Sequence, residues 1–378
     1  MLTRPINVLH IVETLGTGGM ENGVVNLVNG LDPEIVSAEV LCTRGLGDFA
    51  KRIPSTKLHF DRSVGSGIVS AIRAVSRTCL NERFDIVHSH SWATLMPGFF
   101  GSKLSRTPKF VHGEHGTLYL DRLRRQIIQR TIFNRADCCL SVSASLKSEI
   151  TSKLRLPESK FSVILNGVDL SKFRPDPRQK QRLLKAIQAD ADSTIIGSVG
   201  RLVPVKDYPT LLRAFAMLSG SAEKNCHLVL VGDGPERVKL QKLAEDLKIS
   251  GITHFLGVSD AIENVMPAFD IFVLPSIHEG MSNTLLEAAA CGVVTVASDI
   301  LPNREIVAAD HTGMFFDVGN PKSLCTKLRL LVSDRHRREG MSGNSLAFAK
   351  DKLSIRKMIR NYEQFYCALF DTPAVKYS

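Results

Sequence analysis

Short runs of apolar residues alternate with longer amphipathic stretches along the whole chain. In the first half, runs rich in Val, Ile, Leu and Phe fall at Ile6–Val12, Ala38–Cys42, Asp85–His88, Lys109–His112, Cys138–Val142 and Ser162–Leu165. In the second half they fall at Ile195–Val199, His227–Val231, Ile252–Leu256, Ile271–Leu274, Val293–Ala297 and Gly313–Phe316. A helical stretch follows each run. Apolar runs of this kind mark strands buried on both faces, as in a parallel sheet covered by crossover helices. Two successive series predict two doubly wound, Rossmann-like α/β domains.

The seam falls at 166–177, NGVDLSKFRPDP, where Gly, Asp and two prolines interrupt the pattern. This assigns 1–170 to an N-terminal domain and 171–378 to a C-terminal one. After about Asp317 the chain turns helical, ending in a stretch over 354–370 that can pack back on the first domain. There is no low-complexity segment and no fixed-period repeat.

The chain has 378 residues, 44% hydrophobic and 23% charged. That suits two or three globular domains and excludes the disordered and fibrous classes. No apolar run reaches the roughly 18 residues of a membrane span, and Ile6–Val12 reads as a first strand rather than the core of a signal peptide. The eight cysteines include no C-x-x-C pair, which points to free thiols in a reducing, cytoplasmic setting.

In open α/β sheets ligands sit outside the carboxyl ends of strands, so the residues after each run carry the chemistry. The first run leads into Gly16-Thr-Gly-Gly-Met-Glu21 and a helix. Gly16, Gly18 and Gly19 let backbone approach a phosphate or sugar, and the helix N-terminus favours negative charge. Glu21 stands where a dinucleotide fingerprint needs its third glycine, and no Gly-Lys-Thr/Ser follows. A tight β–α turn accounts for this loop equally well. After another run comes Val111-His-Gly-Glu-His-Gly-Thr117. There His115 can donate to an oxyanion or a sugar hydroxyl. His112, Glu114 and His115 lack the spacing of a helical metal site, which argues against a metal. A structural hydrogen bond remains open for either histidine.

In the second half, Gly200-Arg-Leu-Val-Pro-Val-Lys206-Asp207 follows the first strand. Arg201 offers a planar fork and Lys206 a point charge, a pair suited to a diphosphate; salt bridges on the surface are the alternative. Gly232-Asp-Gly-Pro-Glu236 reads as a tight turn whose glycines leave room for a nucleotide. Leu274-Pro-Ser-Ile-His-Glu279-Gly-Met-Ser-Asn-Thr-Leu-Leu-Glu287 is the richest segment. Ser282 or Asn283 can cap the helix that begins there, with backbone N–H groups of Gly280, Met281, Ser282 and Asn283 facing an anion. The Glu287 carboxylate can take paired ribose hydroxyls. Asp190-Ala-Asp192 imitates a D-x-D metal clamp, but it precedes a strand, at the wrong end of the sheet, and reads as solvated linker.

Taken together, these motifs resemble the retaining glycosyltransferases of the two-domain B fold, family 4. The resemblance covers nearly the whole chain. It rests on Gly18-Gly-Met-Glu-Asn22, His112-Gly-Glu-His-Gly116, Asn166-Gly-Val-Asp169, Gly200-Arg201 with Lys206-Asp207, Gly232-Asp-Gly-Pro, and Glu279 seven residues ahead of Glu287. A narrower similarity is to sugar transferases of bacterial exopolysaccharide loci, including those accompanying the PEP-CTERM sorting system. The resemblance implies two Rossmann-like domains facing each other across a cleft. It implies a nucleoside-diphosphate sugar, of UDP or GDP type, as co-substrate and a glycan or lipid-linked saccharide as acceptor, with no cofactor and no metal. Arg201 and Lys206 would grip the donor diphosphate, Glu279 the donor sugar's hydroxyls and Glu287 the ribose. His115 would lie near the reacting carbon, with Gly16, Gly18 and Gly19 shaping the facing wall. Gly280-Met-Ser-Asn283 departs from the family's frequent Gly-Phe-Gly, so the donor sugar is left open. No residue stands out as an enzymic nucleophile, which suits retention by front-face attack.

A sugar-nucleotide epimerase of the same fold is the nearest rival. An NAD-dependent oxidoreductase would need an acid about 20 positions beyond the glycines, and Glu39, near that spacing, falls within a strand.

The net charge is +10, and residues 1–175 supply +8 of it, with 23 Lys/Arg against 15 Asp/Glu. Such an excess points to an anionic partner. No basic-aromatic surface suggests nucleic acid. Part of the excess lies in Leu120–Arg135, where Arg122, Arg124, Arg125, Arg130 and Arg135 accompany Leu123, Ile127, Ile128 and Ile132. This composition suggests a helix resting on the anionic cytoplasmic face of the inner membrane, where a lipid-linked acceptor would be. A solvated basic face on a core-packed helix is the alternative.

Overall fold

The computed structural model describes residues 4–60, 67–116, 122–220 and 225–371. The chain forms two compact units, one from 1–167 with 355–378 and the other from 168–354.

The first unit is built on a sheet of seven strands: β1 Ile6–Val12, β2 Val36–Cys42, β3 Leu58–His59, β4 Ile86–His90, β5 Lys109–Glu114, β6 Cys138–Ser141 and β7 Phe161–Val163. Their order is β3-β2-β1-β4-β5-β6-β7, and all neighbours are parallel. The chain therefore runs outward from β1 to one edge, then returns to β4 and runs to the other. The crevice between the carboxyl ends of β1 and β4 is the switch point, where doubly wound sheets bind ligands. Two differences from the sequence pattern have simple causes. The edge strand β3 has only two residues, too few to show a period. And β4 continues past His88 to His90, because Ser89 and His90 pair with His112 and Gly113 of β5 and are buried despite their polarity.

The second unit repeats the plan with β8 Thr194–Val199, β9 Cys226–Val231, β10 Thr253–Gly257, β11 Ile271–Leu274, β12 Val294–Ser298 and β13 Gly313–Phe316. The order is β10-β9-β8-β11-β12-β13, again wholly parallel, with its switch point between β8 and β11. Helix starts follow capping chemistry. Asp176 accepts from Arg178 N ahead of Pro177–Ala186, and Asn320 from Lys322 N and Ser323 N ahead of Pro321–Ser333.

The last helix, Ile355–Asp371, belongs to the first unit although its sequence follows the second. Met358, Tyr362 and Tyr366 are buried in a core with Val8, Val12, Val24 and Val28. Their i, i+4 spacing gives one apolar stripe. None of the eight cysteines is in a disulfide. Among the described residues, no helix is long and apolar enough to cross a membrane.

Candidate functional site

In the second unit the expected residues gather at the switch point. Because β8 and β11 are adjacent and parallel, the loops that leave them emerge side by side, and Ile277 N donates to Val205 O between them. Across this seam Lys206 Nζ donates to Glu279 Oε1 at 2.5 Å, and Ser276 Oγ donates to the same oxygen at 2.6 Å. Both ion-pair partners are half-buried. Arg201, on the loop with Lys206, is exposed, and its guanidinium has no hydrogen bond or ion pair among the described residues. One cation is therefore held on a carboxylate, and the other is open to an anion from solution.

The turn at Gly232 has a different purpose from the one its glycines suggest. A Cβ at Gly232 would lie 2.0 Å from Gly200 O, and one at Gly234 would lie 2.4 Å from Leu202 O. Leu202 N donates to Asp233 O, and Glu236 N to Leu202 O. The glycines make room for protein backbone, clamping the loop that carries Arg201 and Lys206. Gly232 also has φ +131°, which side chains rarely adopt.

The helix after Glu279 runs Asn283–Ala290, with Ser282 in the cap position. Neither capping expectation holds as read. The Ser282 hydroxyl bonds Thr284 Oγ1 at 3.0 Å and makes no cap bond, while Asn283 is the first helical residue. Gly280, Met281 and Ser282 are buried, and Asn283 and Glu287 are half-buried. Burial, with the nearby Glu263 charge, raises the Glu287 carboxyl to about 8. At neutral pH that carboxyl is mostly protonated, a state the ribose reading did not anticipate. Asp190 and Asp192 are exposed ahead of β8, and Asp192 accepts from Asn225. They lie at the amino end of the sheet, away from the switch point.

In the first unit, Gly16 and Gly18 lie in the loop after β1, and Gly19 opens the helix Gly19–Gly30. Backbone bonds from Leu15 N to Leu46 O and from Phe49 N to Leu15 O tie this loop to the one after β2. A cavity of about 220 Å³ opens beside it, lined by Glu13, Thr43, Arg44, Ile68, Trp92 and Met96. Glu13 pairs with Arg44, and the Arg125 guanidinium lies 5.8 Å from the Trp92 ring centre. Glu39 is committed to His59 at 2.5 Å and is not available as the ribose acid of a dinucleotide site.

His115 directly follows β5, but the set proposed around it divides. His112 and Glu114 project from the opposite sheet face to Gly113, as alternation along a strand requires. His112 Nδ1 bonds Ser89 Oγ at 2.9 Å. His115 Nε2 instead bonds His90 Nδ1 at 2.9 Å, and His90 Nε2 bonds His10 Nδ1 at 2.9 Å. His88 Nδ1 bonds Tyr366 Oη at 2.7 Å. Gly113 makes the space. A Cβ there would stand 3.0 Å from His88 Nε2 and 3.3 Å from both His115 Nε2 and His90 Nδ1. Burial lowers the imidazoles, His10 to about 3, His115 to about 4 and the other two well below the ordinary value, so all four are neutral at pH 7.

His10, His88 and His90 offer ring nitrogens within 4.8 Å of one another, the spacing of a metal site. Both nitrogens of His90 are in hydrogen bonds, so a metal on this ring would have to displace one of them. Sequence reading passed over His10, His88 and His90. The signal was polar residues inside short apolar runs, His10 in β1 and His88, Ser89 and His90 at the end of β4.

The Arg122–Arg135 segment is also partly as expected. Thr117 to Asp121 lie outside the described residues. From Leu123 to Arg135 the chain is helical, with Gln129, Ile132 and Phe133 buried, while Leu123 is 72% and Ile127 56% exposed.

Residues 17–172 match the family described as Glycosyltransferase Family 4, and residues 179–347 match Glycosyl transferases group 1. The putative glycosyltransferase EpsF of Bacillus subtilis (strain 168) is 28% identical over 79% of this chain and 80% of its own. An Escherichia coli UDP-Gal:alpha-D-GlcNAc-diphosphoundecaprenol alpha-1,3-galactosyltransferase is 29% identical over 67% of this chain and 68% of its own. The crystal structure of Anabaena HepE in complex with UDP and glucose superposes with a TM-score of 0.85 at 20% identity, covering 96% of this chain and all of that one.

Proposed function

Because the chain is a B-fold glycosyltransferase, a family 4 domain joined to a group 1 domain, we propose that its donor is a nucleoside diphosphate sugar of the UDP or GDP type. The acceptor is a glycan or lipid-linked saccharide of bacterial polysaccharide synthesis, transfer retains the anomeric configuration, and no metal takes part. The observation that carries the reading is the Lys206–Glu279 pair at the β8/β11 switch point, with Arg201 exposed on the same loop. HepE binds UDP and glucose, and the E. coli relative acts on a diphosphoundecaprenol-linked sugar; both lend support.

Departure of the diphosphate leaves negative charge on its phosphate oxygens. Arg201 and Lys206, fixed before the reaction by the glycine clamp, stabilise that charge without reorganising, and they take the place a divalent cation would otherwise fill. Glu279 orients Lys206 and presents its other oxygen to donor hydroxyls. The bond from the anomeric carbon to the leaving oxygen breaks as the acceptor oxygen bonds to the same face, and the acceptor proton passes to the departing phosphate. In its carboxylate form Glu287 takes the ribose hydroxyls, and His115 contacts the transferred sugar.

The acceptor belongs to the first unit, whose cavity offers the Trp92 ring as an apolar wall for a sugar and Arg44 as a polar one. Leu123 and Ile127 form an exposed apolar pair one helical turn apart, with Arg122, Arg124 and Arg130 around them. That surface rests on anionic lipid at the cytoplasmic face of the inner membrane.

A panel of UDP and GDP sugars tests the reading, scored by thermal stabilisation and by transfer to polyprenyl-diphosphate saccharides. One base and one sugar should stabilise the protein and yield product with retained configuration. Indifference to every nucleotide, or an inverted product, would overturn it.

A further inference from the structure

The carboxyl-end histidine, His115, is the last member of a buried row that starts in the middle of β1. His10 and His88 are register partners on adjacent strands, and His90 follows His88 on the same face. His10, His88 and His90 have at most 1% of their surface exposed. Each ring is neutral and so carries one proton. The two bonds that link His10, His90 and His115 can therefore exist in only two arrangements. In one, His10 Nδ1–H donates to His90 Nε2, and His90 Nδ1–H donates to His115 Nε2, leaving the His115 proton on Nδ1. In the other every proton sits on the opposite nitrogen, and His115 carries its proton on Nε2.

The outer end of the row does not choose between them, since His115 Nδ1 has no partner among the described residues and can meet water as donor or acceptor. The inner end does. His10 Nε2 is buried without a hydrogen-bond partner. In the first arrangement it is a bare lone pair, and in the second a bare N–H, the rarer state in folded proteins. We propose that His90, backed by His10, is a positioning residue that fixes His115 as its Nδ1–H tautomer, so that it presents a neutral hydrogen-bond donor to an oxygen of the bound sugar. The last clause rests on the glycosyl-transfer reading; the tautomer itself does not.

Gly113 supports the arrangement sterically, because any side chain there would push the three rings apart. A donor that stays neutral suits a sugar hydroxyl, which carries no charge for an imidazolium to pair with. His88, bonded to Tyr366 of the last helix, closes the row from the side.

Long-range ¹⁵N–¹H correlation spectra of the ligand-free protein read the tautomer directly, with the His115 signals assigned from His115→Gln. The expected wild-type pattern is a protonated Nδ1 and an unprotonated Nε2. His90→Leu removes the ring that donates to His115 Nε2, and His90→Gln replaces it by a side chain that still donates. In His90→Leu the His115 tautomers should mix and kcat should fall at least several-fold with the donor KM little changed. In His90→Gln the tautomer and most of kcat should persist. An Nε2–H tautomer in the wild type would overturn the proposal. So would an unchanged tautomer in a folded His90→Leu protein, or stoichiometric metal in the protein as isolated, bound through these rings. If the tautomers respond as stated but His115→Gln transfers sugar normally, the contact to sugar is wrong and the tautomer control stands.

Discussion

Lys206 and Glu279 are 73 positions apart in the chain and meet at 2.5 Å because β8 and β11 are neighbours. The pair separates two contributions that are usually mixed. Arg201→Ala removes an exposed cation with no partner among the described residues, so the melting temperature should stay within a degree or so. Lys206→Ala leaves Glu279 half-buried with only Ser276, a loss of about 1–3 kcal/mol. Both should cut transfer about 10²–10³-fold. Calorimetry and steady-state rates on the two variants check this; equal melting temperatures would count against the ion pair, and wild-type rates against the phosphate assignment.

Glu287 makes stability and nucleotide binding respond to pH in opposite directions. Its native carboxyl is raised from 4.5 to about 8, so the folded state holds a proton that the unfolded state has released. The stabilisation is complete below about 4.5 and drains away as pH climbs to about 8, by on the order of a few kcal/mol. Glu287→Gln should flatten that slope. Binding ribose hydroxyls through the carboxylate expels the proton, so nucleotide affinity should rise up to tenfold per unit between pH 6 and pH 8. Calorimetric titration in buffers of different ionisation enthalpy should show nearly one proton released at pH 7 in the wild type and none in the variant.

Two kinds of glycine should respond with opposite signs. Gly232→Ala drives a methyl into Gly200 O and strains a positive φ, which should cost about 2–4 kcal/mol and weaken donor binding. Gly343 lies inside the helix Arg335–Lys352 with nothing within 4 Å of an added Cβ. Gly343→Ala should therefore stabilise by about 0.5–1 kcal/mol and leave activity alone. Urea unfolding of both variants supplies the comparison.

Trp92 is the chain's one tryptophan, so its fluorescence reports on the cavity of the first unit alone. Acceptor saccharide should shift or quench the emission in a saturable way. Trp92→Ala should raise the acceptor KM about tenfold or more while the donor KM holds. An emission spectrum blind to every accepted saccharide would move the acceptor elsewhere.

Vesicle sedimentation decides the role of the exposed apolar pair. Vesicles rich in phosphatidylglycerol should pull down the wild type at low salt, less so at high salt, and neutral vesicles should not. Ile127→Asp should abolish the pull-down with an unchanged melting temperature, since the side chain faces outward. Sedimentation indifferent to lipid charge would remove the membrane from the picture.

The parallel sheets could be read from the sequence because their strands are continuous apolar runs, and Ile6–Val12, Ile271–Leu274 and Gly313–Phe316 coincide with the observed strands. The edge strand at Leu58–His59 left no periodic trace. At the site, Arg201, Lys206, Glu279 and Glu287 declared themselves by following strands. The partnership of Lys206 with Glu279, the clamp at Gly232 and the row from His10 to His115 depend on which strands become neighbours, and a linear pattern does not encode adjacency. The Glu287 carboxyl looked like an ordinary charge because burial, which alters it, is a property of the folded unit.

The return of Ile355–Asp371 to the first unit bears on how the molecule is made. As the chain emerges during synthesis, residues up to 167 arrive first but lack Tyr362 and Tyr366, which complete their core. The second unit has all its strands and helices once Ser354 is out. The half synthesised later can therefore mature earlier, while the half synthesised first waits, part of its apolar surface uncovered, for the last helix to leave the ribosome. A stop codon just ahead of Ile355 would damage the first unit rather than the second.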